Sequence, residues 1–310
     1  MSKKAVLFTS VGRRVEWMEQ VKNALNPDIA VISADVTAEA PAHLFSNKAA
    51  ILPNVFEQDF AGRLLDLCQV EQISHVFPLI DTELQVYASI KKELALFGVD
   101  IVVSERSAID LCRDKFSFGV FLEEKGIQTP KICSIAEELD SGKRYCLRPR
   151  FGSRSVGMKQ INAEEAQKLI RRRDSVITEW ISGTEYSIDI ITDGDGNILV
   201  SVPRKRILIR DGESIIGETV QHNELILLSK QIVKSIHGLY GPLCLQVIQN
   251  EEGIFITELN ARFGGGITLS EAAGAGFAEW IKSLVNQTPF NAPNWENGKK
   301  MYRYLKGIYK

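Results

Sequence analysis

The 310-residue sequence predicts an α/β lobe built on a doubly wound parallel sheet, followed by α+β lobes. Three observations predict it. The first hundred or so residues alternate short apolar runs with helical patterns, the rhythm of βαβ units. Near residue 112 that rhythm stops, and strand-like runs follow one another directly, as antiparallel strands do. The length, at about 150 residues per domain, suits about two domains or one body of several lobes.

The elements follow in order. "AVLFTS" is a short apolar strand. "RRVEWMEQVKNAL" has helical spacing of Val15, Met18, Val21 and Leu25. "IAVISADV", "AAILPN", "HVFPLI" and "DIVVSE" read as further strands, with helices over "FAGRLLDLCQV" and "ELQVYASIKKELALFG". Ligands of such sheets sit at the carboxyl ends of strands, here Gly12 and Arg13, Asp35, Asp81 to Glu83, and Glu105. "RDKFSFGVFLEEKG" reads as one helix stopped by Gly126, with Pro130 just beyond. "RYCLRPR", "GMKQI", "SVITEWI" and "EYSIDIIT" are strands, and "NAEEAQKLIRRR" is a helix opening on an Asn162–Glu165 capping box. "ITDGDGNILVSV" is a hairpin turning at Gly194 and Gly196. A helix over "ELILLSKQIVKSIHG" and the strands "PLCLQVIQN" and "GIFITELN" close the section.

Composition narrows the function. A net charge of −2 carries no polyanion signal, which argues against nucleic acid as the main partner. Five scattered cysteines without a C-x-x-C pair read as reduced thiols of a cytoplasmic protein. The start lacks the apolar run of a signal peptide, and no stretch approaches a membrane span. The four histidines lie far apart, against a His-rich metal site. "SVGRRV" has one glycine, so the G-x-G-x-x-G dinucleotide fingerprint is missing.

Three stretches carry candidate chemistry. In "LRPRFGSRSVGMK", Arg148 ends a strand and the loop Gly152 to Gly157 follows, with Ser153 and Ser155 inside it. Such a loop turns backbone N–H groups toward an anion. It lacks the Lys-Ser/Thr of a Walker A loop and runs into a strand; an ordinary glycine-rich hairpin is the alternative. In "TEWISGTEYSIDI", Glu179, Ile181 and Glu185 flank a turn at Gly183, either a slot for a flat base or a hairpin with exposed glutamates. In "GIFITELNARFGGG", Glu258 and Asn260 share a strand face, continuing that of Ile254 and Ile256. A three-residue loop over Glu251 to Gly253 pairs Asn250 with Ile254 and sets Gln246 opposite Glu258; a two-residue loop turns Gln246 to the other face. Gln246, Glu258 and Asn260 then form an oxygen patch suited to Mg²⁺, or are merely three polar residues at a sheet end.

The ordered set "RDKF", "LRPRFGSRSVGM", "EWISGTEYSIDI", "LCLQVIQ" and "ITELNAR" resembles the ATP-grasp superfamily, in particular one synthetase unit of the carbamoyl-phosphate synthase large subunit. The resemblance covers nearly the whole chain. It implies a pre-ATP-grasp α/β lobe over 1–111, a small lobe with the phosphate loop over 112–183, and a C-terminal lobe with the metal site over 184–310. It implies that Lys115 and Arg148 contact nucleotide phosphates beneath the loop Gly152 to Gly157. Glu179 and Ile181 meet the adenine, and Glu185 takes the ribose hydroxyls. Gln246, Glu258 and Asn260 hold Mg²⁺ or Mn²⁺, and Arg262 stabilises the transferring phosphoryl group. Arg148 departs from the lysine of most members, though carbamoyl-phosphate synthase has the arginine. The length matches one synthetase unit, which predicts a stand-alone, ADP-forming carboxylate–amine ligase using ATP. The expected partners are ATP and a small carboxylate and amine, with a homodimer allowed and neither nucleic acid nor membrane involved. A non-catalytic nucleotide-binding subunit and a small-molecule kinase are the competing functions. Arg13 is a candidate for a substrate carboxylate, Asp81 and Glu83 for an amino group, and Lys205 beside Arg206 for phosphates. Each has a plain alternative: a surface arginine, a Thr82–Glu83 helix cap, and a solvated charge run.

Overall fold

The computed structural model describes residues 4–152 and 156–309. Five parallel strands open the chain: β1 (Lys4–Thr9), β2 (Ile29–Asp35), β3 (Lys48–Ile51), β4 (Ile73–Pro78) and β5 (Asp100–Ile101), in the order β3-β2-β1-β4-β5. Strand alternation sends Val6 and Phe8 to one face and Ala5 and Leu7 to the other. Helix α1 (Val15–Leu25) buries Trp17, Met18, Val21 and Leu25 on the first face. Helices α2 (Phe60–Val70) and α3 (Leu84–Ala95) bury Phe60, Leu64, Leu84 and Tyr87 on the second. This is the doubly wound sheet that the sequence predicts.

The helix read as one element over 113–126 is the second of two. Helix α4 (Arg106–Arg113) ends at Asp114, and α5 (Lys115–Glu124) begins there. The Asp114 carboxylate accepts the N–H groups of Phe116 and Ser117 at 3.1 and 3.3 Å, an N-cap that restarts the helix and fixes Lys115 at its first position. Asp114 also binds the Arg150 guanidinium, 2.7 Å from Nε, tying the start of α5 to the strand below.

That strand belongs to a three-stranded antiparallel sheet, β6 (Arg144–Pro149), β7 (Lys159–Asn162) and β8 (Ser175–Glu179), ordered β7-β6-β8. Helix α6 (Ala163–Leu169) covers it and opens on the expected box: Asn162 Oδ1 accepts from Glu165 N, and Glu165 Oε2 from Asn162 N, both at 2.9 Å.

A six-stranded antiparallel sheet follows: β9 (Thr184–Thr192), β10 (Ile198–Arg210), β11 (Glu213–Thr219), β12 (Gly241–Asn250), β13 (Gly253–Asn260) and β14 (Lys300–Tyr302), ordered β13-β12-β9-β10-β11-β14. Helices α7 (Asn223–Ser235), α8 (Ile267–Ala272) and α9 (Phe277–Asn286) pack on it. The sequence reading has no strand over 213–219, yet Asp211 and Gly212, at φ +52° and +75°, turn a hairpin there. An Asp-Gly pair between β-branched runs is a strong hairpin signal. The apolar cores are shared between the first and last sheets, Leu7 with Leu245 and Ile256 in one, Phe8 with Phe263 and Trp280 in the other. No helix among the described residues is long and apolar enough to cross a membrane.

Candidate active site

Gln246 does lie opposite Glu258, but by a different route from the one the sequence suggests. The turn holds two residues, not three, and Asn250 pairs with Gly253, not Ile254. A regular ladder would then set Gln246 opposite Thr257. A β-bulge between Ile256 and Glu258 absorbs Thr257 and restores the register. Glu258 and Asn260 therefore do not continue the face of Ile254 and Ile256. The core side runs through Ile254, Ile256, Leu259 and Ala261, with its phase changed at Thr257. That step in the apolar pattern was legible in the sequence as a break in the two-residue period. The bulged residue is used: Thr257 O accepts from Arg148 Nη1 at 3.0 Å, and Thr257 Oγ1 donates to Gln246 O at 3.2 Å.

The sheet face away from the core carries Glu185 and Asp189 of β9, Arg204 and Arg206 of β10, Gln246 of β12, and Glu258 and Asn260 of β13. Across from its edge lie Lys115 and Gly152, with Asp81 and Thr82 of the first lobe closing one side. Of these, Glu258 and Asn260, with Lys115, Gly152, Asp81 and Thr82, bound a cleft of about 130 Å³. Lys115 Nζ donates to Gly152 O at 2.7 Å. Burial lowers the Lys115 ammonium from the usual lysine range, against the pull of Glu258. Burial also lowers the Arg148 guanidinium, and its Nε lies buried without an acceptor. Two cations thus face the Glu258 carboxylate, with hydrogen-bonding capacity to spare.

Asn260 is 5% exposed, and its Nδ2 as placed is buried without an acceptor. An amide is readily turned about, which presents the oxygen there. One carboxylate with two amide oxygens is a hard donor set of the kind Mg²⁺ takes when substrate phosphates complete its shell. Among the described residues no three His, Cys, Asp or Glu side chains gather as a metal cluster. These three residues fit a phosphate-bound magnesium better than a resident transition metal.

The other expected residues sit as follows. Arg262 donates to Asp81 Oδ2 through Nε and Nη2, at 3.0 and 2.7 Å, and to Phe263 O at 2.9 Å. Burial alone would lower this guanidinium; Asp81, with Cys244 and Glu258 adding to it, offsets that and the net shift is upward. Asp81 is thus already engaged by an arginine. Glu185 is paired with Arg206 at 2.9 Å, and the same Nη1 donates to Gln246 Oε1 at 3.2 Å. Of the Lys205 and Arg206 pair read as phosphate candidates, Arg206 thus lies among the site residues, while Lys205 is exposed on the opposite face. Glu179 accepts from Lys143 at 2.8 Å. Glu179 and Glu185 do not flank a hairpin, because β8 and β9 belong to different sheets. Half-buried Ile181 lies in the link between them, where Ser182 O accepts from Asn250 Nδ2 at 3.2 Å. Gly157, at φ +78°, precedes β7; Ser153 and Ser155 lie outside the described residues.

In the first lobe Arg13 is exposed. Its neighbour Arg14 points inward, donating to Leu79 O at 2.8 Å and Gly264 O at 3.3 Å. Glu83 occupies the N-cap position of α3 but does not cap it. Its carboxyl turns back to the hydroxyls of Thr9 and Ser10. Burial raises it to about 7, against those two hydrogen bonds.

Comparison with known proteins gives the following. The family described as "ATP-grasp domain" matches residues 112–266, and "PylC-like, N-terminal domain" matches residues 6–102. The carbamoyl phosphate synthase large chain of Saccharolobus solfataricus is 25% identical over 275 residues, covering 80% of this chain and 26% of its own length. The chain spans about a quarter or less of the curated relatives it matches. The structure of N5-carboxyaminoimidazole synthetase from Staphylococcus aureus complexed with ADP superposes with a TM-score of 0.71 at 16% identity, covering 94% of this chain and 79% of that one. The biotin carboxylase domain of Hydrogenobacter thermophilus 2-oxoglutarate carboxylase, solved with MgADP and bicarbonate, gives a TM-score of 0.71 at 17% identity, covering 93% and 70%. At such identities the superpositions establish the fold.

Proposed function

The chain belongs to the ATP-grasp family, whose domain description matches half of it, and on that premise we propose that it is an ATP-dependent, ADP-forming ligase. It activates a small carboxylate as an acyl phosphate, which an amine then attacks. The observation that carries this reading is the placement of Glu258 and Asn260 beside Gln246, across a cleft from Lys115 and the Gly152 carbonyl.

Phosphoryl transfer asks a protein mainly for positioning and charge neutralisation. Lys115 and Arg148 supply positive charge where phosphates would lie, under the loop that begins at Gly152. Glu179 and Ile181, at the link between two sheets, suit the adenine end, and Glu185 the ribose hydroxyls. Gln246, Glu258 and Asn260 would hold magnesium or manganese, which when bound lets two anions, carboxylate and phosphate, approach each other. Arg262, aimed by Asp81, stands at the first lobe's side of the cleft, where it would receive charge from the transferring phosphoryl group. The carboxylate would approach from that lobe. Division of the chain at 112 and 184 would leave one sheet in each part.

A panel of carboxylic and amino acids, each with Mg-ATP and hydroxylamine, tests the proposal. The expected result is a hydroxamate with one member of the panel and an equal amount of ADP. AMP and pyrophosphate instead would overturn it.

A further inference from the structure

In an open parallel sheet, ligands bind where the strand order reverses. Here that crevice lies between the carboxyl ends of β1 and β4. The chain leaving β1 holds two left-handed positions there, Ser10 at φ +51° and Gly12 at φ +46°, an unfavourable conformation for the serine. It then enters α1 at Arg14. No side chain caps that helix, so its first N–H groups point into the crevice without a side-chain acceptor.

The Arg14 guanidinium crosses the crevice. Its acceptors are all neutral carbonyls: Leu79 O at 2.8 Å, Gly264 O at 3.3 Å and Phe263 O at 3.5 Å. Among the described residues it makes no ion pair, and its hydrogen bonds use Nη1 and Nη2. The nearest acids are committed elsewhere. Asp81 is held by Arg262 at 2.7 Å, while Glu16 and Glu213 share Arg303 at 3.7 and 3.6 Å. Burial, followed by the nearby Arg262, lowers Arg14 to about 10, as expected for a cation without its own counter-charge. The Nε edge of the guanidinium, which those bonds do not use, has the geometry that matches a carboxylate. The crevice adjoins the cleft through Asp81, which lines the cleft and binds Arg262.

We propose that Arg14 and the uncapped start of α1 form the subsite for the carboxylate group of a small carboxylic acid substrate. This deepens the ligase reading and rests on it for the word substrate, while the anion site itself can be tested alone. Arg13, one residue earlier and exposed, is the control.

The probe is acetate, exchanged for chloride at constant ionic strength and pH 7, on the full chain. Thermal unfolding should show an acetate-specific stabilisation that saturates, remains in Arg13→Gln, and weakens about tenfold or more in Arg14→Gln, in line with loss of a charge-assisted pair. Should Arg14→Gln fail to fold, amide shifts of the wild type give the answer, with acetate moving the resonances of Val15, Glu16 and Trp17. No difference between acetate and chloride, or an acetate effect that survives Arg14→Gln, overturns the proposal. Binding of Mg-ATP, titrated separately, keeps the two readings apart. Acetate binding through Arg14 without nucleotide binding would leave the subsite standing and sink the ligase.

Discussion

Asp189→Asn removes one charge from the most deeply buried ion pair among the described residues. Asp189 is 0% and Arg204 2% exposed, with Nε 2.7 Å from Oδ2 and Nη2 3.0 Å from Oδ1. Ser270 Oγ adds a third bond at 2.6 Å. The glycine turn that follows β13 is folded directly onto the pair. A Cβ on Gly264 would stand 2.8 Å from Asp189 Oδ1, and one on Gly266 would strike the Arg204 guanidinium. Asparagine keeps the shape but leaves Arg204 charged in a dry site. Breaking a buried pair from one side costs about 3–5 kcal/mol. Against a typical stability of about 5–15 kcal/mol, that is a large share. Equilibrium urea unfolding measures it as a lower midpoint at unchanged slope. Removing both charges in Asp189→Leu with Arg204→Met should recover much of the loss, since a well-packed apolar pair often matches a buried ionic one. A single variant within about 1 kcal/mol of wild type would refute the claim that Arg204 is left uncompensated. A double variant no better than the single would show that packing, not charge, carries the loss.

Glu258→Gln keeps the shape of the proposed metal ligand and removes its charge; turnover should fall by more than the roughly 10²–10³-fold lost with one oxyanion donor, with unfolding unchanged, and near-normal turnover would exclude the role. Deleting Thr257 removes the bulge but leaves an unbroken two-residue alternation, so Gln246 should still oppose Glu258. Nucleotide affinity should fall because Arg148 loses its acceptor, and a crystal structure with the register displaced would contradict this. Glu83, raised to about 7, binds its proton more tightly folded than unfolded. Its contribution to stability is therefore full below about pH 4.5 and is lost as pH rises toward 7 and beyond. Glu271, also raised to about 7, acts in the same sense. Glu83→Gln should flatten part of the decline between pH 5 and 8, and identical pH profiles for variant and wild type would rule the carboxyl out.

The parallel sheet was legible because each βαβ unit writes two patterns into the sequence, a short continuous apolar run in β1, which is buried on both faces, and helical spacing at Met18, Val21 and Leu25. The Asn162–Glu165 box was legible because capping is local. The partners of the charged residues were not. Arg13 and Arg14 are adjacent arginines, and only the direction of α1 decides which one reaches Leu79 O. Asp81 and Arg262 are 181 residues apart, and their pairing depends on how the first and last sheets share a core. The bulge at Thr257 lay between these cases: its signal, the step from Ile256 to Leu259, is visible in the sequence but is overridden when a regular alternation is assumed.

The most direct test of carboxylate activation by γ-phosphoryl transfer follows the oxygen. With both carboxylate oxygens of the substrate labelled with ¹⁸O, and Mg-ATP and amine supplied, ³¹P NMR of the products shows where the label goes. An acyl phosphate attacked by an amine leaves one carboxylate oxygen on phosphorus, so inorganic phosphate should carry a single ¹⁸O and ADP none. Label appearing in AMP, or phosphate released without any, would contradict the account.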